Sequence, residues 1–115
     1  MADVTIYHNP RCSKSRETLA LLQERGIEPT VVLYLETPPT AAELTHLLDL
    51  LGLEPRALLR KKDAKEAGLD DPGLSDAQVI EGMAKTPAVI ERPIVVVDNA
   101  RARLGRPPEQ VLEIL

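Results

Sequence analysis

A lone cysteine, Cys12, sits in the run His8-Asn9-Pro10-Arg11-Cys12-Ser13-Lys14-Ser15-Arg16. The apolar spacing on either side predicts a strand before it and a helix after it, so the thiol falls at a strand-to-helix junction. Unpaired N–H groups and the positive end of the peptide dipoles at a helix start favour a thiolate over a thiol. Asn9-Pro10 marks a turn, Arg11, Lys14 and Arg16 bring positive charge, and the hydroxyls of Ser13 and Ser15 can donate to an anion. Cys12 is the candidate nucleophile.

Spacing separates the thiol chemistries. A dithiol redox motif needs a second cysteine at position 15, where Ser15 stands, so any redox cycle through Cys12 must be finished by an outside thiol. The anion loop of cysteine-dependent phosphatases needs an arginine at position 18, which is Thr18. One cysteine with His8 and His46 makes no metal-ligand set, and neither a metal nor a tightly bound cofactor is expected.

Three arginines stand at the ends of predicted elements: Arg60, Arg92 directly before Pro93, and Arg106 before Pro107-Pro108. Planar guanidinium forks make bidentate bonds to tetrahedral oxyanions and keep their charge at any working pH, so the three together read as an oxyanion cage. His8 can hydrogen-bond the thiolate or hand on a proton.

The elements that must position these groups follow from the pattern. Strands are predicted over 4–7 and 30–35 with a helix over 13–25 between them, its Leu19, Leu21 and Leu22 inward and Gly26 as its stop. Thr40 to Glu43 reads as a capping box opening a second helix with Leu44, Leu47, Leu48 and Leu51 inward. A basic helical stretch begins at Arg56, and Ser75 to Gln78 is a second capping box before Val79, Ile80 and Met83. Pro93 opens a buried strand, Asp98-Asn99 turns it into a short return strand, and a last helix follows Pro107 with Val111, Leu112 and Leu115 inward. The order β-α-β, all-helical insert at about 40–86, β-β-α predicts one thioredoxin-like α/β domain over 1–115, with a mixed four-stranded sheet. In that architecture Pro93 faces the reactive cysteine and is the cis-proline candidate.

The 115 residues carry a formal net charge of −4 and are 43% hydrophobic but 2% aromatic, with no Trp or Phe. The expected core is therefore aliphatic. Base-stacking platforms are missing and the net charge repels nucleic acid and anionic membranes, so neither is an expected partner. Met1-Ala2-Asp3 leads straight into the first strand without a signal-peptide pattern, and no apolar run reaches membrane-spanning length. An unpaired thiol fits a reducing cytoplasm, and a monomer is expected.

On the Cys12 loop, Arg60, Glu91-Arg92-Pro93-Ile94-Val95-Val96 and Gly105-Arg106-Pro107-Pro108-Glu109, the chain resembles the glutaredoxin-coupled arsenate reductases, the ArsC family, and within it the short YfgD-like housekeeping branch. The resemblance runs essentially end to end. It implies that Cys12 attacks arsenate to form a thiolate–arsenic ester, that glutathione adds to it as co-substrate, and that glutaredoxin reduces the adduct to release arsenite. It places oxyanion binding on Arg60, Arg92 and Arg106, with His8 and Ser15 in support. Two other readings stay open at this point: a glutathione-linked reductase of another oxyanion or a disulfide, and a non-enzymatic regulator that binds RNA polymerase, which Ser15 disfavours because such relatives usually carry Cys-x-x-Cys.

Overall fold

The computed structural model describes residues 3–115; Met1 and Ala2, and with them part of the reading of the N-terminus, lie outside the described residues. The chain divides into two compact units, one of Met1–Thr37 with Arg92–Leu115 and one of Pro38–Glu91.

The first unit holds β1 (Val4–His8), α1 (Ser13–Glu24), β2 (Thr30–Leu33), β3 (Ile94–Val97), β4 (Arg101–Leu104) and a 3-10 segment, Pro108–Ile114. The sheet order is β2-β1-β3-β4. β1 runs parallel to β2 with Thr5 beside Thr30 and His8 beside Leu33, and antiparallel to β3 with Val4 beside Val97 and Tyr7 beside Ile94; β3 and β4 are antiparallel. This is the mixed four-stranded sheet of a thioredoxin-like α/β fold. The β-branched run of β3 is buried on both faces, as its unbroken apolar sequence requires, whereas β1 alternates between buried and half-buried positions. Val4, Ile6, Val95 and Val97 of the sheet pack with Leu22, Val111 and Ile114 into one core, against which Leu19, Leu21 and Ile27 lie partly buried. Fully burying an aliphatic side chain of this kind stabilises by about 1.5–3 kcal/mol.

Local chemistry sets the ends of these elements. Gly26, at φ +75°, closes α1 through its N–H to the Gln23 carbonyl. Asp98 and Asn99 both take positive φ, 55° and 52°, in the three-residue loop that joins Val97 to its partner Arg101, a backbone that short polar side chains tolerate. β2 ends two residues before the expected position 35. The N–H groups of Glu36 and Thr37 both return to the Leu33 carbonyl, which curls the chain and turns Tyr34 inward to 1% exposure. The core is thus not purely aliphatic, since Tyr34 is its largest fully buried side chain.

The C-terminal helix corrects a second expectation. It is 3-10 rather than α, so side chains recur on one face every three residues: Pro108, Val111 and Ile114 are buried, Leu112 is half-buried, and Leu115 is exposed.

The second unit contains α2 (Ala41–Leu51), a 3-10 turn at Pro55–Leu58, α3 (Lys61–Glu66), α4 (Asp76–Lys85) and a 3-10 turn at Pro87–Val89. Thr40 caps α2 by accepting the Glu43 N–H at 3.1 Å, and Ser75 and Gln78 complete a reciprocal capping box on α4. Leu44, Leu47, Leu48, Val79 and Met83 are buried, while Leu51 and Ile80 are half-buried. The basic stretch forms two short helical pieces separated at Leu59, which pairs antiparallel with Ile90. The Arg60 N–H donates to Val89 O and the Glu91 N–H to Leu58 O, both at 2.7 Å, which ties the break between two helical turns to the segment before β3.

The 3-10 register makes a direct prediction. Ile114→Ala should lower stability in urea unfolding by about 2–4 kcal/mol, whereas Leu115→Ala, which an α-helical register would have buried, should change it by no more than about 0.5 kcal/mol.

Candidate active site

The turn between β1 and α1 is closed by side chains that point inward. His8 and Asn9 are nearly buried, and Ser15, in the first turn of α1, is fully buried. Its Oγ accepts the Asn9 N–H at 3.0 Å and shares a 2.5 Å hydrogen bond with His8 Nδ1. Asn9 Oδ1 in turn accepts the Arg11 N–H at 3.0 Å, a side-chain turn of the kind asparagine favours. The Cys12 N–H donates to the Asn9 carbonyl and the Arg16 N–H to the Cys12 carbonyl, both at 3.0 Å, so Cys12 is the N-cap residue of α1. Ser15 thus fastens the loop from within, rather than offering its hydroxyl to an anion.

The sulfur is half-buried and faces a converging set of donors. Burial pushes the Cys12 thiol up, but the N–H of Ser15, the guanidinium groups of Arg92 and Arg106 and the N–H of Lys14 together outweigh it and hold its pKa below the ordinary cysteine value. Arg106 Nη1 lies 3.8 Å from Sγ and donates to the Arg92 carbonyl at 3.0 Å. The cationic groups at the sulfur are therefore Arg92 and Arg106. Lys14 instead pairs with Glu17 at 3.6 Å on the exposed face of α1, and Arg16 Nη1 donates to Pro10 O at 3.4 Å. His8 is pulled down by burial and is neutral at pH 7, which leaves it a partner for Ser15 rather than a counter-charge.

The Arg92–Pro93 and Arg106–Pro107 bonds are both cis. The Gly105 N–H donates to Pro93 O at 3.0 Å, joining the segments that carry Arg92 and Arg106. A Cβ on Gly105 would collide with Thr18 Oγ1 and come within 2.8 Å of Pro93 Cγ, so only glycine allows this approach. Thr18 is buried, and its Oγ1 donates to Lys14 O at 2.7 Å.

Arg60 stands in the second unit as the N-cap residue of α3, its Nε 3.5 Å from Asp63 Oδ2 and 3.6 Å from Glu91 Oε1. His46 is exposed on α2. Among the described residues, no group of three or more His, Cys, Asp or Glu side chains is placed to hold a metal ion, and no helix is long and apolar enough to cross a membrane. The sequence reading gave no role to Tyr34 and did not foresee the Asn9 side-chain turn or the close approach of Gly105 to Thr18.

Two outcomes are expected. Gly105→Ala should destabilise the protein by about 1–3 kcal/mol in denaturant unfolding and slow the chemistry at Cys12, because Thr18 and Pro93 must move apart. The midpoint for Cys12 alkylation by iodoacetamide should lie below that of free cysteine and rise in Arg106→Ala, since the thiolate populates as pH climbs through a pKa that Arg106 depresses.

Over nearly its whole length the chain is similar to several known proteins. The solved arsenate reductase of Vibrio cholerae superposes with a TM-score of 0.94 at 58% identity, covering 98% of each chain. The uncharacterised protein YfgD of Escherichia coli K12 is 59% identical over 97% of this chain and 96% of its own. An arsenate reductase of Neisseria meningitidis is 48% identical over the full length of both. The sequence profile of the ArsC family matches residues 7–114, which include Cys12 and all three arginines, and the chain belongs to that family.

Proposed function

We propose that the protein is a cytoplasmic, thiol-dependent arsenate reductase that takes its electrons from glutathione and glutaredoxin. The observation that carries this reading is the approach of Arg106 Nη1 to within 3.8 Å of the Cys12 sulfur, beside Arg92 and the first N–H groups of α1. Relatives named arsenate reductase, alike over the whole chain, support it. The same donors that stabilise a thiolate bind a tetrahedral oxyanion and neutralise the charge that the thiolate would otherwise repel.

The Cys12 thiolate attacks arsenic(V), an As–S bond forms, and an arsenate oxygen leaves as water after protonation. Glutathione displaces a second oxygen as water, giving an arsenic(V) bonded to both sulfurs. The glutaredoxin thiolate attacks the glutathione sulfur; the As–S(glutathione) bond breaks with its electron pair left on arsenic, which becomes arsenic(III), and a glutaredoxin–glutathione mixed disulfide carries away the oxidising equivalents. Water displaces Cys12 and arsenite departs. Position 15 holds a serine whose hydroxyl is buried and bonded, which supports the need for outside thiols.

Purified protein with arsenate, glutathione and glutaredoxin should form arsenite, and Cys12→Ser should abolish it without loss of fold. Arg92→Ala and Arg106→Ala should each cost about 2–4 kcal/mol of activation free energy, with lysine rescuing poorly because it lacks the bidentate fork. Arg60→Ala in the same series tests the third arginine that the family resemblance assigns to the oxyanion. Arsenite formation by Cys12→Ser, or full turnover with thioredoxin as the only reductant, would contradict the scheme.

A further inference from the structure

Beside the turn that carries Cys12, a cavity of about 360 Å³ opens between Asn9–Arg11 and the end of β2, a volume in the range of small-molecule sites. Pro10, Leu33 and Leu35 give it an apolar wall, and two exposed side chains of opposite charge, Arg11 and Glu36, stand at it. Among the described residues, neither the Arg11 guanidinium nor the Glu36 carboxylate has a hydrogen bond or ion pair. Both residues are held by their backbones instead: the Arg11 N–H donates to Asn9 Oδ1 at 3.0 Å and the Glu36 N–H to Leu33 O at 2.9 Å. A cation and an anion that share a small cavity without bonding each other select a ligand that carries both charges itself. β2 is an edge strand, so no neighbouring strand closes this side of the sheet.

We propose that this cavity is the subsite for glutathione, its γ-glutamyl end lying against Pro10, Leu33 and Leu35 with the α-carboxylate on Arg11 and the α-ammonium on Glu36. The proposal rests on the thiol-dependent reductase reading above and names where the co-substrate of that reading binds. Glutathione suits the cavity because the α-carbon of its γ-glutamyl residue bears carboxylate and ammonium together, while the two methylenes beyond it are apolar. A guanidinium takes such a carboxylate through paired N–H donors. Reach follows from chain dimensions: the Cα of Cys12 is about 3.8 Å from that of Arg11, and an extended peptide advances roughly 3.5 Å per residue. A tripeptide anchored at Arg11 therefore carries its middle thiol little more than one residue past the anchor, to where Cys12 begins α1. Arg106, with Nη1 3.8 Å from the Cys12 sulfur, stays with the oxyanion, so the two substrates use separate cations.

The test uses S-methylglutathione, which binds without thiol chemistry, and glutathione itself in arsenite formation by the purified protein. Calorimetric titration should show S-methylglutathione binding to wild type and about five- to tenfold weaker binding to Arg11→Gln and to Glu36→Gln, with the KM for glutathione rising by the same factor. The KM for arsenate and the Cys12 alkylation midpoint should stay at wild-type values in both variants. S-methylglutathione acetylated on its amino group should bind wild type as weakly as the parent compound binds Glu36→Gln. No binding of S-methylglutathione to wild type, or unchanged affinity and KM in both variants, would overturn the subsite while leaving the reductase reading intact. A raised arsenate KM or a shifted alkylation midpoint in either variant would tie these residues to the oxyanion or to the turn, and would overturn it as well. Absence of arsenite from wild type, alongside S-methylglutathione binding that the two variants weaken, would remove the reductase reading and keep the cavity as a glutathione site.

Discussion

One buried oxygen, Ser15 Oγ, holds the turn on which the reactive geometry depends. It takes the Asn9 N–H at the start of the loop and His8 Nδ1 at the end of β1, while belonging itself to the first turn of α1. With strand end and helix start fastened to each other, Asn9 O can accept the Cys12 N–H and the helix begins at Cys12. The first N–H groups of α1 then face the sulfur instead of water. A buried hydroxyl of this kind must be satisfied, and here satisfying it also fixes the nucleophile.

The electrostatics at Cys12 are a contest between burial and directed donors. Burial favours the thiol, and the two N–H groups with two guanidiniums reverse that preference. Their placement depends on uncharged contacts: the Gly105 N–H to Pro93 O bond, the closeness of Gly105 to buried Thr18, and Arg106 Nη1 resting on Arg92 O. Charge does the chemistry, but van der Waals exclusion at Gly105 decides where the charge stands. The net negative composition of the chain is no obstacle, because the two guanidiniums and the helix start act at short range while more distant carboxylates are screened.

Arg60 shows how an arginine is held without being locked. Its backbone is fixed by the short Leu59–Ile90 bridge, whereas its guanidinium meets Asp63 and Glu91 at 3.5 and 3.6 Å with about a third of each side chain exposed or less. Ion pairs of this exposure contribute only about 0–1 kcal/mol, so the two carboxylates hold the guanidinium weakly.

Much of this was legible in the sequence. The strand–helix order, the Ser75 capping box, the Asp98-Asn99 turn and Cys12 at a helix start all follow from local patterns, because capping, turn chemistry and apolar periodicity act over a few residues. The arginines were visible as residue types at element ends. What the local pattern misassigned or left open were matters of register and direction: α instead of 3-10 at the C-terminus, the break between helical turns at Leu59, and a share of the positive charge at the sulfur credited to Lys14 and Arg16, which pair elsewhere, beside that of Arg92 and Arg106. Each was decided by tertiary contact. Pro108, Val111 and Ile114 reach the sheet core only with a three-residue period, Ile90 claims the backbone of Leu59, and neighbours of Cys12 on the outer face of a helix point away from it, while arginines distant in sequence are brought in by a sheet register. Tyr34 was hidden for the same reason: two N–H groups converging on the Leu33 carbonyl turn it inward, and nothing in its own sequence neighbourhood says which way that turn will face.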